Sequence, residues 1–247
     1  MRIGLWNIDH AQTGSPGAGE ERRFQGVVRY LERTNCDLLV TVEGNAAIEI
    51  PGYRAEFSDP SPFRSTRRFY GEPNRYHQVG IYSRIPVRRL SVAEPINALL
   101  CEVSWKGGPL LVYGNVITIK DQWKRDSDKT HQDRLQEQLA AIESLAPSRF
   151  VAAGDFNLSL GWTRMLPAHR ALKNLAERLG LVWPTEAVDD TVQHVVHSKG
   201  IACQVEIDFS VRHVRDGEKR LSDHPFMSVS ISEIQAASRL QDELNLS

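Results

Sequence analysis

Cysteine is scarce: Cys36, Cys101 and Cys203 are the only three in 247 residues. Odd in number and far apart, they exclude a disulfide framework and read as core thiols of a reducing compartment. No run approaches the roughly 18 to 20 apolar residues that a membrane span needs. Charge of one sign is also lacking. The formal net charge is -1, which removes any whole-chain case for a polyanion partner and leaves only local basic patches. Several catalytic signatures are missing too. There is no G-x-S-x-G elbow, no H-E-x-x-H, no C-x-x-C and no G-x-x-x-x-G-K-[ST] phosphate loop. His194 and His197 would face opposite sides of a strand, which argues against a shared metal. Finally, no Pro/Gly/Ser linker, low-complexity tract or internal repeat divides the chain. One domain over residues 1–231 is expected, followed by a helical tail over 232–247.

What is present is an ordinary globular composition, 41% hydrophobic and 25% charged, with enough apolar residues for a large core. Short β-branched or aromatic runs bounded by Gly, Pro, Asn or Asp predict strands. They fall at Arg2–Ile8, Asp37–Glu43, Tyr53–Phe57, His77–Ser83, Cys101–Trp105, Leu110–Ile117, Phe150–Gly154, Cys203–Val211 and Phe226–Ile231. Helical periodicity fits Glu21–Thr34, Gln132–Leu145 and Ala168–Leu179, the last with Gly180 as its C-cap. Ser232–Leu244 is read as a terminal helix. Because Ile3–Ile8 already reads as a strand, a removable leader is not expected, and the cytoplasm is the expected location. One helix separates the first two strands, several strands follow, and two helices then alternate with the last strands. This order points to mixed sheets covered by helices, not to a βα repeat.

The stretch FVAAGDFNLSLGW (150–162) shows the chemistry: an apolar strand runs through Gly154 into Asp155 and Asn157. Alone, both are ordinary turn formers. Other strands end the same way. GLWNIDH puts Asn7 at the first exit, DLLVTVEGN puts Glu43 at the second, CQVEIDFSVRH carries Asp208, and RLSDHPFMSVS sets Asp223 and His224 before the last strand. Strand ends of one sheet system can converge. An oxygen-rich donor set without Cys suits Mg²⁺ or Mn²⁺, which bind through one or two carboxylates plus phosphate oxygens. The long segment 58–76 carries Arg64, Arg67, Arg68 and Arg75 among Phe63, Phe69, Tyr70 and Tyr76, a composition able to grip a polyanion and stack bases. Lys120, Lys124, Arg125 and Lys129 around Trp123 form a second basic stretch, diluted by Asp121, Asp126 and Asp128.

In order, WNI, VEGN, GDFN, EIDF and SDH resemble the endonuclease/exonuclease/phosphatase superfamily, over residues 3 to 226. The resemblance implies an α+β fold, a four-layer α/β/β/α sandwich of two mixed β-sheets flanked by helices. It implies Glu43 as principal Mg²⁺ (or Mn²⁺) ligand, with Asn7 and Asp223 beside the metal. Asp155 and Asn157 match the pair that handles the attacking water and the phosphate, His224 the essential histidine, and Asp208 its carboxylate partner. Arg134, Gln138 and Leu139 resemble a structural Arg-x-x-x-Gln-Leu helix. Two positions depart from the pattern. Val42 stands where Gln is usual, and no His follows VYGNVIT near Ile117 or Thr118, where Tyr113 is the substitute on offer.

The expected activity is metal-dependent phosphoester hydrolysis. Asp155 or His224 would act as base, and the substrate contains phosphate, foremost the phosphodiester of DNA or RNA. A small-molecule or lipid-headgroup phosphoesterase is the alternative within enzymes, and a non-catalytic binding module of the same fold is the alternative outside them.

Overall fold

Side-chain alternation sorts the central strands between two cores. In the computed structural model, residues 1–12, 18–61, 75–118, 130–159, 166–216 and 219–234 are described. In chain order the elements are β1 (Arg2–Asn7), α1 (Ala18–Arg33), β2 (Leu38–Asn45), β3 (Arg54–Phe57), β4 (Tyr76–Ser83), β5 (Val87–Leu90), β6 (Ala98–Trp105), β7 (Gly108–Val116), α2 (His131–Leu145), β8 (Phe150–Asp155), α3 (Leu166–Leu179), β9 (Gln193–His197), β10 (Ile201–Asp208), β11 (Arg215–Asp216), β12 (Lys219–Arg220) and β13 (Phe226–Glu233). A 3-10 turn, Phe209–His213, follows β10.

One sheet has six strands in the order β10-β13-β1-β2-β4-β3, and the other five in the order β5-β6-β7-β8-β9. Both are mixed: β1 runs parallel to β2 and antiparallel to β13, while β7 runs parallel to β8. Residues of one parity, including Ile3, Leu5, Val40, Val112, Val151 and Ala153, meet between the sheets in a single apolar core. The opposite parity faces helices. Trp6, Ile8 and Leu39 pack against Phe24, Val27 and Leu31 of α1. Tyr113, Phe150 and Ala152 pack against Leu135, Leu139 and Ile142 of α2 and Leu172 and Leu175 of α3. Three cores between four layers make the α/β/β/α sandwich. Burying each such large side chain contributes about 1.5–3 kcal/mol.

Local signals set the helix limits. Thr130 Oγ1 accepts from Asp133 N at 3.2 Å while Thr130 N donates to Asp133 Oδ2 at 2.8 Å, a capping box that starts α2. Gly180, at φ +62°, ends α3 in the left-handed conformation that glycine tolerates, and Leu181 N donates back to Ala176 O.

Four strands go beyond the sequence expectation: β5, the short hairpin pair β11 and β12, and β9, the antiparallel neighbour of β8. The terminal helix expected from Ser232 is corrected at its start, since β13 continues through Ser232 and Glu233, which pair with Ala202 and Ile201. The remainder of that segment lies outside the described residues. Cys36 and Cys101 are buried free thiols and Cys203 is a half-buried one. Among the described residues no helix is long and apolar enough to cross a membrane.

Candidate active site

Parity carries two strands' core faces straight into the site. On β1 the inward series Ile3, Leu5 continues to Asn7; on β8 the inward series Val151, Ala153 continues to Asp155. Being in different sheets, the two side chains meet across the gap, and Asn7 Nδ2 donates to Asp155 Oδ2 at 2.9 Å. Both are buried, at 1% and 2% exposure. Asp155 Oδ1 accepts from Asn157 N at 2.8 Å, and Asn157 Nδ2 donates to Ile117 O at 2.9 Å. The strand end is therefore a tied loop with a preset carboxylate.

Glu43 arrives differently. Simple alternation would put it on the outer face with Leu39, but it adopts φ +52°. That left-handed backbone, uncommon for a residue of this kind, turns its carboxyl toward the site. Asp9, His10 and Asn157 are left-handed as well, at φ +45°, +47° and +49°. Backbone strain of this sort gathers where surrounding structure holds functional groups in place. Ile8 N and His10 N donate to Val42 O and Glu43 O, at 3.0 and 2.8 Å, locking the exits of β1 and β2 together.

Electrostatics single out the same cluster. Burial, then the charges of Asp155, Asp9 and Asp223, push the Glu43 carboxyl up to about 8, and Asn7 opposes the shift. Burial also raises Asp155, while the positive charge of His224, the Asn7 amide and the Asn157 N–H pull it back. Four acids thus crowd one recess, an arrangement that a cation relieves. Among the described residues no group of three or more His, Cys, Asp or Glu side chains encloses a metal position. All-oxygen sites for Mg²⁺ use one or two carboxylates and leave the remaining positions to water and phosphate, so the donor set fits that ion.

The last turn is fastened to β1. Ser222 Oγ donates to Asn7 O at 2.6 Å and accepts from His224 N at 3.0 Å, while Trp6 Nε1 donates to His224 O at 3.2 Å. His224 Nε2 lies 3.4 Å from Asp223 Oδ1. Gln193, fully buried on β9, completes the frame. With its carboxamide turned to satisfy both ends, it donates to Pro225 O at 2.9 Å and accepts from Asn7 N at 3.3 Å. Buried Arg23 of α1 holds both loops at once, donating to Ile8 O, Asp9 O, Arg220 O and Leu221 O at 2.7 to 3.1 Å.

Asn7, Glu43, Asp155, Asn157, Asp223 and His224 are brought together as expected from the sequence, and two expected residues are not. Asp208 belongs to the outward series of β10 with Glu206, whereas Val205 and Ile207 pack inward. Its carboxylate is exposed and accepts from Tyr30 Oη at 3.0 Å and Ser210 N at 2.9 Å. Among the described residues no hydrogen bond joins it to His224. Those donors, with the Ser210 hydroxyl foremost, lower its pKa. Tyr113 likewise faces α2: it is 1% exposed and its hydroxyl donates to Gln138 Oε1 at 2.6 Å, so it cannot stand in for a phosphate-contacting His. Arg134, Gln138 and Leu139 are buried on α2 and structural, with Arg134 Nη1 donating to Thr118 O. Arg75 sits beside the exit of β2, its carbonyl accepting from Ala46 N. Arg64, Arg67, Arg68 and the basic stretch from Lys120 to Lys129 lie outside the described residues.

Asp9, His10, Arg23, Gln193 and Ser222 were missed in the sequence. Asp9 had a readable signal, two residues beyond Asn7 in WNID. Arg23 had none that separates it from Arg22.

The sequence matches the model of the Endonuclease/Exonuclease/phosphatase family over residues 4–224. The chain belongs to that family. Solved structures agree at the level of the fold. A 3'-5' exonuclease (NExo) from Neisseria meningitidis superposes with a TM-score of 0.63 at 16% identity, covering 94% of this chain and 100% of that one. The human Nocturnin catalytic domain, with bound sulfate, gives 0.65 at 14%, covering 94% of each chain. An AP endonuclease from Archaeoglobus fulgidus gives 0.62 at 15%, covering 94% of this chain and 99% of that one. A comparison with curated proteins finds no match. Family membership supports a phosphoester hydrolase.

Proposed function

We propose that the chain is a divalent-metal-dependent phosphodiesterase acting on nucleic acid. The observation that carries this reading is the cross-sheet pair Asn7–Asp155 with the Glu43 carboxyl in the same acidic recess. Glu43, with Asp9 and Asn7 beside it, would hold Mg²⁺ or Mn²⁺. When bound, the ion neutralises charge developing on phosphoryl and leaving oxygens.

The remaining chemistry falls to the chain's own groups. Asp155 is raised from the usual carboxylate range by burial, which brings it toward the pKa a base needs near neutrality. It orients the water and takes its proton. Asn157, one N–H of which is held by Ile117 O, offers an uncharged contact to that water or to a phosphate oxygen. His224, beside Asp223, donates to the charge-rich phosphorane. Nuclease activity is the preferred reading because two structural neighbours are nucleases by name. The near-neutral chain charge favours a small phosphoester as second reading.

The test is plasmid nicking with Mg²⁺, with EDTA and Asp155→Ala as controls. Nicking lost in both controls is the expected result. An intact plasmid together with cleavage of a small phosphodiester selects the second reading. Neither activity, with the fold intact, selects a binding module.

A further inference from the structure

His10 is the unusual member of the site. It is a nitrogen base set among carboxylates, 4% exposed at the side chain, with Nε2 3.6 Å from Glu43 Oε2. The placement is enforced. His10 N is bonded to Glu43 O at 2.8 Å, so the two residues move together. The ring stands edge-on to Tyr76, centroids 6.1 Å apart, and the backbone is held at φ +47°. A separation of 3.6 Å is too long for a hydrogen bond between these atoms. It is close to the spacing of two donors that share one ion, since ligands at about 2.0–2.2 Å lie roughly 3 to 3.5 Å apart in octahedral or tetrahedral geometry.

The geometry points to His10 Nε2 and Glu43 Oε2 as a mixed nitrogen–oxygen pair of ligands, so that this site selects Mn²⁺ or a later transition ion over Mg²⁺. The inference rests on the reading of Glu43 as the metal-binding carboxylate. Its chemical basis is ligand preference. Mg²⁺ takes oxygen donors and dehydrates reluctantly, whereas imidazole favours ions further along the transition series. The other positions around the ion would fall to Asp9 and Asn7 beside Glu43, to water and to oxygens of the phosphate substrate, and no new residue has to be brought in. No bond is made or broken in the step beyond replacement of water on the ion.

The experiment is pulsed electron paramagnetic resonance on the full chain loaded with Mn²⁺, read for ¹⁴N modulation. It is paired with titrations of Mn²⁺ and Mg²⁺ by calorimetry. The variants are His10→Asn and Glu43→Gln. Asn tolerates the left-handed backbone at this position, so the first variant keeps the fold. The expected result is nitrogen modulation in the unaltered protein and its loss in His10→Asn. Mn²⁺ affinity falls about tenfold or more, and Mg²⁺ affinity by less than about threefold. Bound Mn²⁺ without nitrogen modulation, or modulation that survives His10→Asn, overturns the role of His10 and leaves the metal centre standing. Absence of Mn²⁺ binding, or binding that survives Glu43→Gln, overturns both.

Discussion

Asn7 Nδ2 donates to Asp155 Oδ2 at 2.9 Å, and this bond joins the last inward residue of β1 in one sheet to the last inward residue of β8 in the other. The two sheets therefore share a site at the open end of their common core. Two substitutions separate catalysis from stability here. Asn7→Ala strips a buried carboxyl of a donor and is expected to cost about 1–3 kcal/mol. Asp155→Asn removes a desolvated acid, so its Tm is expected unchanged or higher. Both lower kcat, Asp155→Asn by about 10²- to 10⁴-fold. Phosphodiester hydrolysis and thermal unfolding on the same samples check the pair, and a fall in Tm for Asp155→Asn speaks against a strained buried acid.

Arg23 bridges the loop after β1 and the loop before Ser222 through four backbone carbonyls. Arg23→Lys keeps the charge but lacks the planar fork that reaches several acceptors at once. A stability loss of about 2–4 kcal/mol is expected, with kcat reduced although Arg23 touches no reacting atom. Urea unfolding and steady-state kinetics measure the two effects.

Gly154 precedes Asp155 because nothing larger fits. A Cβ there would lie 2.1 Å from Asn115 O and 2.3 Å from Asn115 Oδ1. Gly154→Ala must shift β7 against β8, and a loss of about 3 kcal/mol or more is expected from urea unfolding. A near-neutral result would mean that the two strands part more easily than their packing implies.

His194 gives the pH dependence. Its Nε2 meets Leu158 O at 2.8 Å and its Nδ1 meets Thr185 Oγ1 at 3.2 Å, and burial lowers its pKa to about 4. The unfolded chain, with an ordinary histidine, takes up the proton near 6.5, so between these values it binds more protons than the native state. This contribution to stability is complete above about pH 6.5. It declines by at most about 1.4 kcal/mol per pH unit down to about pH 4 and is then flat. Denaturation series on the unaltered protein and on His194→Gln are expected to diverge in that window and run parallel above it.

Tyr113 offers a negative control. Its hydroxyl is committed to Gln138 on the helical side of the sheet. Tyr113→Phe is expected to leave kcat/KM within about twofold while costing about 1 kcal/mol, measured by kinetics and unfolding together. A tenfold loss of kcat would place the phenol in the reaction.

The sequence by itself determined the strands that carry the site, because buried runs such as Phe150–Ala153 can be read from local composition. It also determined which residues stand at their exits, and the order of five short motifs was enough for the family. It did not determine which way an exit residue points. Asp208 follows Ile207 as Asp155 follows Gly154, yet one faces α1 and the other faces the gap between sheets. That choice depends on the parity of each strand relative to a partner far away in sequence. Nor could local pattern show that Glu43 and His10 take left-handed backbone angles, since neither residue type signals them. Arg23 and Gln193 were silent for the same reason. Their carboxamide and guanidinium act on backbone atoms up to about 200 residues away, contacts that exist only once both sheets and α1 have packed.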